Sequence, residues 1–122
     1  MFKKGPIPVL VHGLIEYAAA VLLIVAPFAF DFESDVATGI SVGAGIVVLV
    51  VTASTAIPTG LVKSIPVQAH VILDYVLALF LIASPFLFSF DDDAATVLFL
   101  LLGILHLVLT IATRFIRDEA RS

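Results

Sequence analysis

The chain has 122 residues, no cysteine and a formal net charge of −4. Its hydrophobic fraction is 61% and its charged fraction 13%, so it has too few polar side chains to cover a soluble domain, which carries about 25% charged residues. Disulfides, thiolate metal sites and cysteine nucleophiles are excluded, and no basic run with interleaved aromatics offers a nucleic-acid surface.

Four apolar segments follow one another: Ile7–Phe30, Val36–Ile57, Pro66–Phe88 and Ala94–Ile116. Each is long enough, as a helix rising 1.5 Å per residue, to cross a hydrocarbon core of about 30 Å. None alternates polar with apolar as a barrel strand would. Inside lipid the backbone must satisfy its own hydrogen bonds, so four transmembrane helices are expected. Met1-Phe2-Lys3-Lys4 before the first segment has the outline of a signal peptide. The apolar run is longer than a signal core and recurs later in the chain, so it is expected to remain as a span.

Span one carries Pro8 in its first turn, then His12, Glu16 and Tyr17, and Pro27 near its far end. His and acid are four residues apart and share a helix face. An acidic loop with Asp31, Glu33 and Asp35 leads to span two, where Asp35 is the expected N-cap. Span two sets Gly39 four residues before Gly43 and Ser41 four before Gly45, a spacing that lets helices approach closely in lipid. Thr52 and Thr55 near its end are expected to bond back to helix carbonyls. After Lys63, span three repeats the first arrangement with Pro66, His70, Asp74, Tyr75 and Pro85. Asp91, Asp92 and Asp93 precede span four, Asp93 being the expected N-cap. Span four keeps Gly103, keeps Thr110 and Thr113 with the same expected back-bonding, and adds His106. That histidine has no acid on its own helix and is expected to bond a backbone carbonyl rather than join an interior cluster.

A shift of 58 residues, taking Ile7 to Ile65, superimposes the two halves. Positions 7–58 and 65–116 share 21 identities in 52, among them His12/His70, Tyr17/Tyr75, Pro27/Pro85, Thr52/Thr110 and Thr55/Thr113. Apolar bias does not supply matched His, Pro, Tyr and Thr, so residues 7–58 and 65–116 are read as an internal repeat within a single membrane domain, 1–122. Each copy holds two spans. Both copies therefore enter the membrane in the same sense, related by a pseudo-twofold axis along its normal. All six Lys and Arg, namely Lys3, Lys4, Lys63, Arg114, Arg117 and Arg121, fall at one end, and only acids occupy the other two loops. The positive-inside rule places both termini in the cytoplasm. The expected fold is all-α, a four-helix transmembrane bundle of two tandem two-helix repeats.

The unit His-x3-(Glu/Asp)-Tyr, about ten apolar residues, then Ala26-Pro27-Phe28 or Ser84-Pro85-Phe86 and an acidic loop resembles the SPW repeat of bacterial and archaeal membrane proteins. Phenylalanine stands here where that family's signature has tryptophan. The resemblance implies a four-helix, multi-pass protein of a prokaryotic plasma membrane. It implies no activity.

A carboxylate at the centre of a helix costs about 2.5–3.5 kcal/mol to insert, so Glu16 and Asp74 are expected to face the bundle interior. His12, Glu16, Tyr17, His70, Asp74 and Tyr75 form the expected intramembrane polar cluster. Three uses of it are open: a knot fixing helix register, a proton or cation pathway through Glu16 and Asp74, and a metal or haem site using His12, His70, Glu16 and Asp74, with haem held from opposite sides by the two histidines. The Glu-x-x-His spacing of ferritin-like di-iron bundles is i, i+3, which differs from the spacing here. No cofactor is expected. No nucleophile beside a base, phosphate loop or zinc-protease motif is present, so no enzyme is expected either. The leading expectation is a small structural or accessory membrane protein. Its partners are the lipid bilayer and, through helix packing at Gly39, Ser41, Gly43 and Gly45, further copies of itself or a larger membrane complex.

Overall fold

A computed structural model describes residues 6–55, 57 and 59–114. Lys3, Lys4, Phe115, Ile116, Arg117 and Arg121 lie outside the described residues, as does Pro58. A two-residue strand, β1 (Ile7–Pro8), precedes helix α1 (Val9–Ala29). Helices α2 (Asp35–Ala53), α3 (Val67–Leu87) and α4 (Asp93–Ala112) follow, and β2 (Thr113–Arg114) comes last. All four helices are long and apolar enough to span a membrane.

The prolines act where expected. Pro8 and Pro66 are the N-cap residues of α1 and α3, where the missing N–H would have no helical partner. Pro27 and Pro85 sit inside the last turns of those helices, which end two residues later. The chain then turns through Asp31 and Ser89, equivalent residues that both have positive φ. The N-caps of α2 and α4 are Ser34 and Asp92, each one residue before the aspartate expected from sequence. Ser34 Oγ accepts from Ala37 N–H and Asp92 Oδ1 from Ala95 N–H. Asp35 and Asp93 instead lie in the first turns, where negative charge favours the helix dipole.

Helix α2 stops four residues short of the expected end. Leu61 and Val62 N–H both bond Ala53 O, and Ser64 and Ile65 N–H approach Ser54 O, so the connecting loop takes the carbonyls that a longer helix would have used. The same fold-back produces a bridge between Thr55 and Ile65. Its equivalent under the 58-residue shift is the parallel pairing of Ile7 with Thr113 in β1 and β2. Each copy's first residues therefore pair with the last residues of the other copy, as a twofold axis along the bundle requires. This short strand pair is a departure from the purely helical expectation.

Within each hairpin the helices approach closely at a glycine. A Cβ on Gly45 would lie 2.7 Å from Ala20 O of α1, and one on Gly103 would lie 3.1 Å from Ala78 O of α3. Leu23, Ala37, Ala44, Leu81, Phe90, Ala95 and Phe99 form a core toward the acidic-loop end. Val9, Ile57 and Val71 form a smaller one at the opposite end. The outer surface is oily: Leu14, Val21, Ile72, Leu79, Leu105 and Ile111 are all more than two-fifths exposed, the arrangement expected where lipid replaces water as solvent.

A buried histidine–carboxylate cluster

Between the two cores the hairpins meet at polar side chains. His12 and Glu16 come from α1, His70 and Asp74 from α3. Their relative exposures are 0, 1, 0 and 3%, so none is in contact with bulk solvent. The i, i+4 spacing brings each histidine to the acid on its own helix: His12 Nε2 is 3.2 Å from Glu16 Oε2 and His70 Nε2 is 3.2 Å from Asp74 Oδ1. The closer contacts cross between hairpins. His12 Nε2 lies 3.0 Å from Asp74 Oδ2, and His70 Nε2 lies 2.8 Å from Glu16 Oε1. Both members of the crossed pair map onto each other under the repeat shift.

Two threonines, again exchanged between copies, hold the far side of each ring. Thr55 Oγ1 lies 2.5 Å from Val51 O and 2.8 Å from His70 Nδ1. Thr113 Oγ1 lies 2.6 Å from Leu109 O and 2.7 Å from His12 Nδ1. A hydroxyl has one proton. Two oxygens this close need that proton between them, so each threonine donates to its carbonyl and accepts from imidazole Nδ1–H. The tautomer follows from the partners: Nδ1 carries a proton in both rings, and Nε2 is the nitrogen presented to the carboxylates. A neutral Nε2 and a carboxylate oxygen are both acceptors. Each crossed contact therefore requires a cation between its atoms, and a single proton suffices. With one proton per crossed contact the four side chains sum to zero charge, whichever partner formally holds it.

His106 of α4 departs from expectation. Its Nε2 is 3.3 Å from Asp74 Oδ1 and 3.4 Å from Glu16 Oε2, so it joins the cluster instead of bonding a carbonyl. Its ring centroid is 6.0 Å from that of His12. The equivalent residue in the first copy, Val48, is buried and apolar, so this third histidine breaks the twofold pattern. Sequence spacing misses it because its acids lie on other helices. Thr52 Oγ1 donates to Glu16 Oε1 at 3.3 Å, while Thr110 Oγ1 bonds back to His106 O. Of four threonines expected to back-bond, three do, and two of those also orient a histidine.

The tyrosines lie beside the cluster, not in it. Tyr17 donates its hydroxyl to Thr59 O at 2.7 Å, tying α1 to the loop after α2. Thr59 sits so close over Gly13 that a Cβ there would overlap its side chain. Tyr75 packs against the Val9, Ile57 and Val71 core. The small-residue lane of α2 also divides. Ser41 Oγ donates to Leu23 O and Gly45 packs on α1, but no described residue lies within 4 Å of a Cβ built on Gly39 or Gly43.

Two grooves open sideways between the hairpins. One of about 460 Å³ runs between α2 and α3, walled by Gly43, Val47 and Phe80, and reaches Glu16, His70 and Asp74. The other, about 320 Å³, runs between α1 and α4, past Ile15 and Leu105 to His106. A haem held between His12 and His70 does not fit: both carboxylates lie within 3.2 Å of each Nε2, across the space the macrocycle would need.

No curated protein and no solved structure matches this sequence. The family profile described as the SPW repeat domain matches residues 10–113, a stretch that contains every member of the cluster. The chain therefore belongs to the SPW repeat family, a four-helix membrane protein made of two tandem hairpins.

Proposed function

We propose that the chain is a small structural or accessory membrane protein that associates through α2 with further copies of itself or with a larger membrane complex. The observation that carries this reading is the outward lane of α2, where exposed Val36, Val47 and Val50 flank Gly39 and Gly43. Among the described residues, nothing lies within 4 Å of a Cβ built on either glycine. Small residues four apart between β-branched shoulders let a second helix approach to backbone contact in lipid. The test is the oligomeric state in mild detergent of the native chain against Gly39→Leu/Gly43→Leu. The native chain is expected to give a defined oligomer or a stable complex, and the variant a folded monomer. A monodisperse native monomer with no partner overturns the proposal.

The buried carboxylates favour a second reading, proton- or cation-coupled transport centred on Glu16 and Asp74, because intramembrane acids commonly mark ion pathways. It requires that Glu16→Gln and Asp74→Asn abolish pH-driven flux in liposomes while the protein still folds. Absence of flux in the native protein removes it. In either reading the positive-inside rule supports a prokaryotic plasma-membrane protein with Lys63 facing the cytoplasm and Asp91 outside. Impermeant thiol labelling of Lys63→Cys and Ser89→Cys in intact cells, with only the latter reacting, tests that orientation.

A further inference from the structure

We propose that His12, Glu16, His70 and Asp74 form a binding site for one divalent first-row transition metal ion. One ligand atom from each of the four lies within 4.8 Å of all the others. The imidazole-to-carboxylate contacts of 2.8–3.2 Å engage all four carboxylate oxygens, so each acid turns one oxygen to each histidine. With metal–nitrogen and metal–oxygen bonds of about 2.0–2.2 Å, tetrahedral neighbours stand roughly 3.4 Å apart. Ligand atoms now as much as 4.8 Å apart would draw together by up to about 1.4 Å to reach that spacing.

The donor chemistry points the same way. Thr55 and Thr113 fix both Nδ1 atoms as N–H donors, which leaves two Nε2 lone pairs and four carboxylate oxygens converging on one point. Metal-bound histidines commonly use such an outer hydrogen bond to fix tautomer and ring orientation. A dication takes the place of the two protons that otherwise bridge the crossed contacts, and those protons leave as it binds. Two carboxylates neutralise a dication, so the loaded site stays uncharged and tolerable inside a membrane. Imidazole with carboxylate and no thiolate selects zinc, manganese or ferrous iron over soft cuprous ions. This inference does not depend on association through α2.

The experiment uses full-length chain without a polyhistidine tag, expressed in medium supplemented with zinc, manganese, iron and cobalt and purified in mild detergent without chelators. Elemental analysis is expected to find about one equivalent of metal per chain. The cobalt-loaded protein is expected to show visible d–d bands of nitrogen–oxygen coordination. Thr55→Val/Thr113→Val, which removes no ligand, is expected to weaken metal affinity about 10–100-fold, and Glu16→Gln/Asp74→Asn to lose the metal. A helical native protein with less than ~0.1 equivalent of all four metals overturns the proposal. So does cobalt retained in full by the Glu16→Gln/Asp74→Asn variant, or a native cobalt spectrum with no d–d bands. Should the carboxylate variant fail to fold, the native cobalt spectrum and the threonine variant decide.

Discussion

Replacing His70 with leucine keeps a side chain of similar bulk but removes every polar contact the ring makes. Thr55 Oγ1 loses the N–H it accepts, a neutral hydrogen bond of about 1 kcal/mol. Glu16 Oε1 loses a 2.8 Å partner, and Asp74 Oδ1 loses one at 3.2 Å. Charge-assisted contacts contribute about 1.5–3 kcal/mol, and a buried acid left without its partner raises the total cost to about 3–5 kcal/mol. Glu16 retains Thr52 and His106 as donors, which holds the cost within that range. The informative measurement is a double-mutant cycle with Glu16→Gln, read from reversible unfolding in mixed detergent micelles. Because His70 and Glu16 touch across the two hairpins, the cycle is expected to yield a coupling energy of about 1–3 kcal/mol. Coupling smaller than ~0.5 kcal/mol, the range seen for independent sites, would refute the crossed pairing even if both single variants are unstable.

Gly45→Ala forces a Cβ to 2.7 Å from Ala20 O and is expected to cost about 1–3 kcal/mol in the same assay; Gly43→Ala meets open space and is expected to leave the monomer unchanged or stabilise it by up to ~1 kcal/mol. Partial burial works against the charged form of Asp92, but N–H groups of Ser34, Ala95 and Glu33 outweigh it and hold its pKa below the usual carboxylate value. A folded pKa below the unfolded one means this stabilisation is full above the unfolded value of about 3.9 and is lost as pH falls through the folded one. Asp92→Asn is expected to flatten acid-dependent stability in that window, and Asp92→Ala to cost about 1–2 kcal/mol through the lost cap, both checked by unfolding titrations at graded pH. Tyr17→Phe is expected to cost about 1 kcal/mol through the Thr59 carbonyl, a loss visible as faster proteolysis of the loop after α2.

The repeat made most of this architecture legible before any coordinates. Four apolar runs of bilayer length fixed the helices, and paired His12/His70 and Glu16/Asp74 identified the interior faces, because lipid does not tolerate ionisable groups outside. Features set by contacts between copies were not legible. His106 reaches acids on α1 and α3, which spacing along α4 does not reveal. The threonines carry two roles, and back-bonding alone was visible because it is local to one helix. Gly39 and Gly45 look alike as small residues, yet one faces outward and the other meets Ala20 of α1. The N-caps fell one residue early because Ser34 and Asp92 compete with the following aspartates, and Asp92 also receives N–H groups from the opposite hairpin. Helix α2 ends early because the loop from Leu61 to Ile65 competes for its last carbonyls.

The claim on which the rest depends is that each hairpin offers its histidine to the other hairpin's acid. Solid-state NMR in lipid bilayers, with labelled imidazole nitrogens and side-chain carboxyl carbons, measures it directly. Strong dipolar coupling is expected between His70 Nε2 and the Glu16 carboxyl, consistent with their 2.8 Å contact, and likewise between His12 Nε2 and Asp74 at 3.0 Å. Coupling confined to the acid on each histidine's own helix, or none at all, would contradict it.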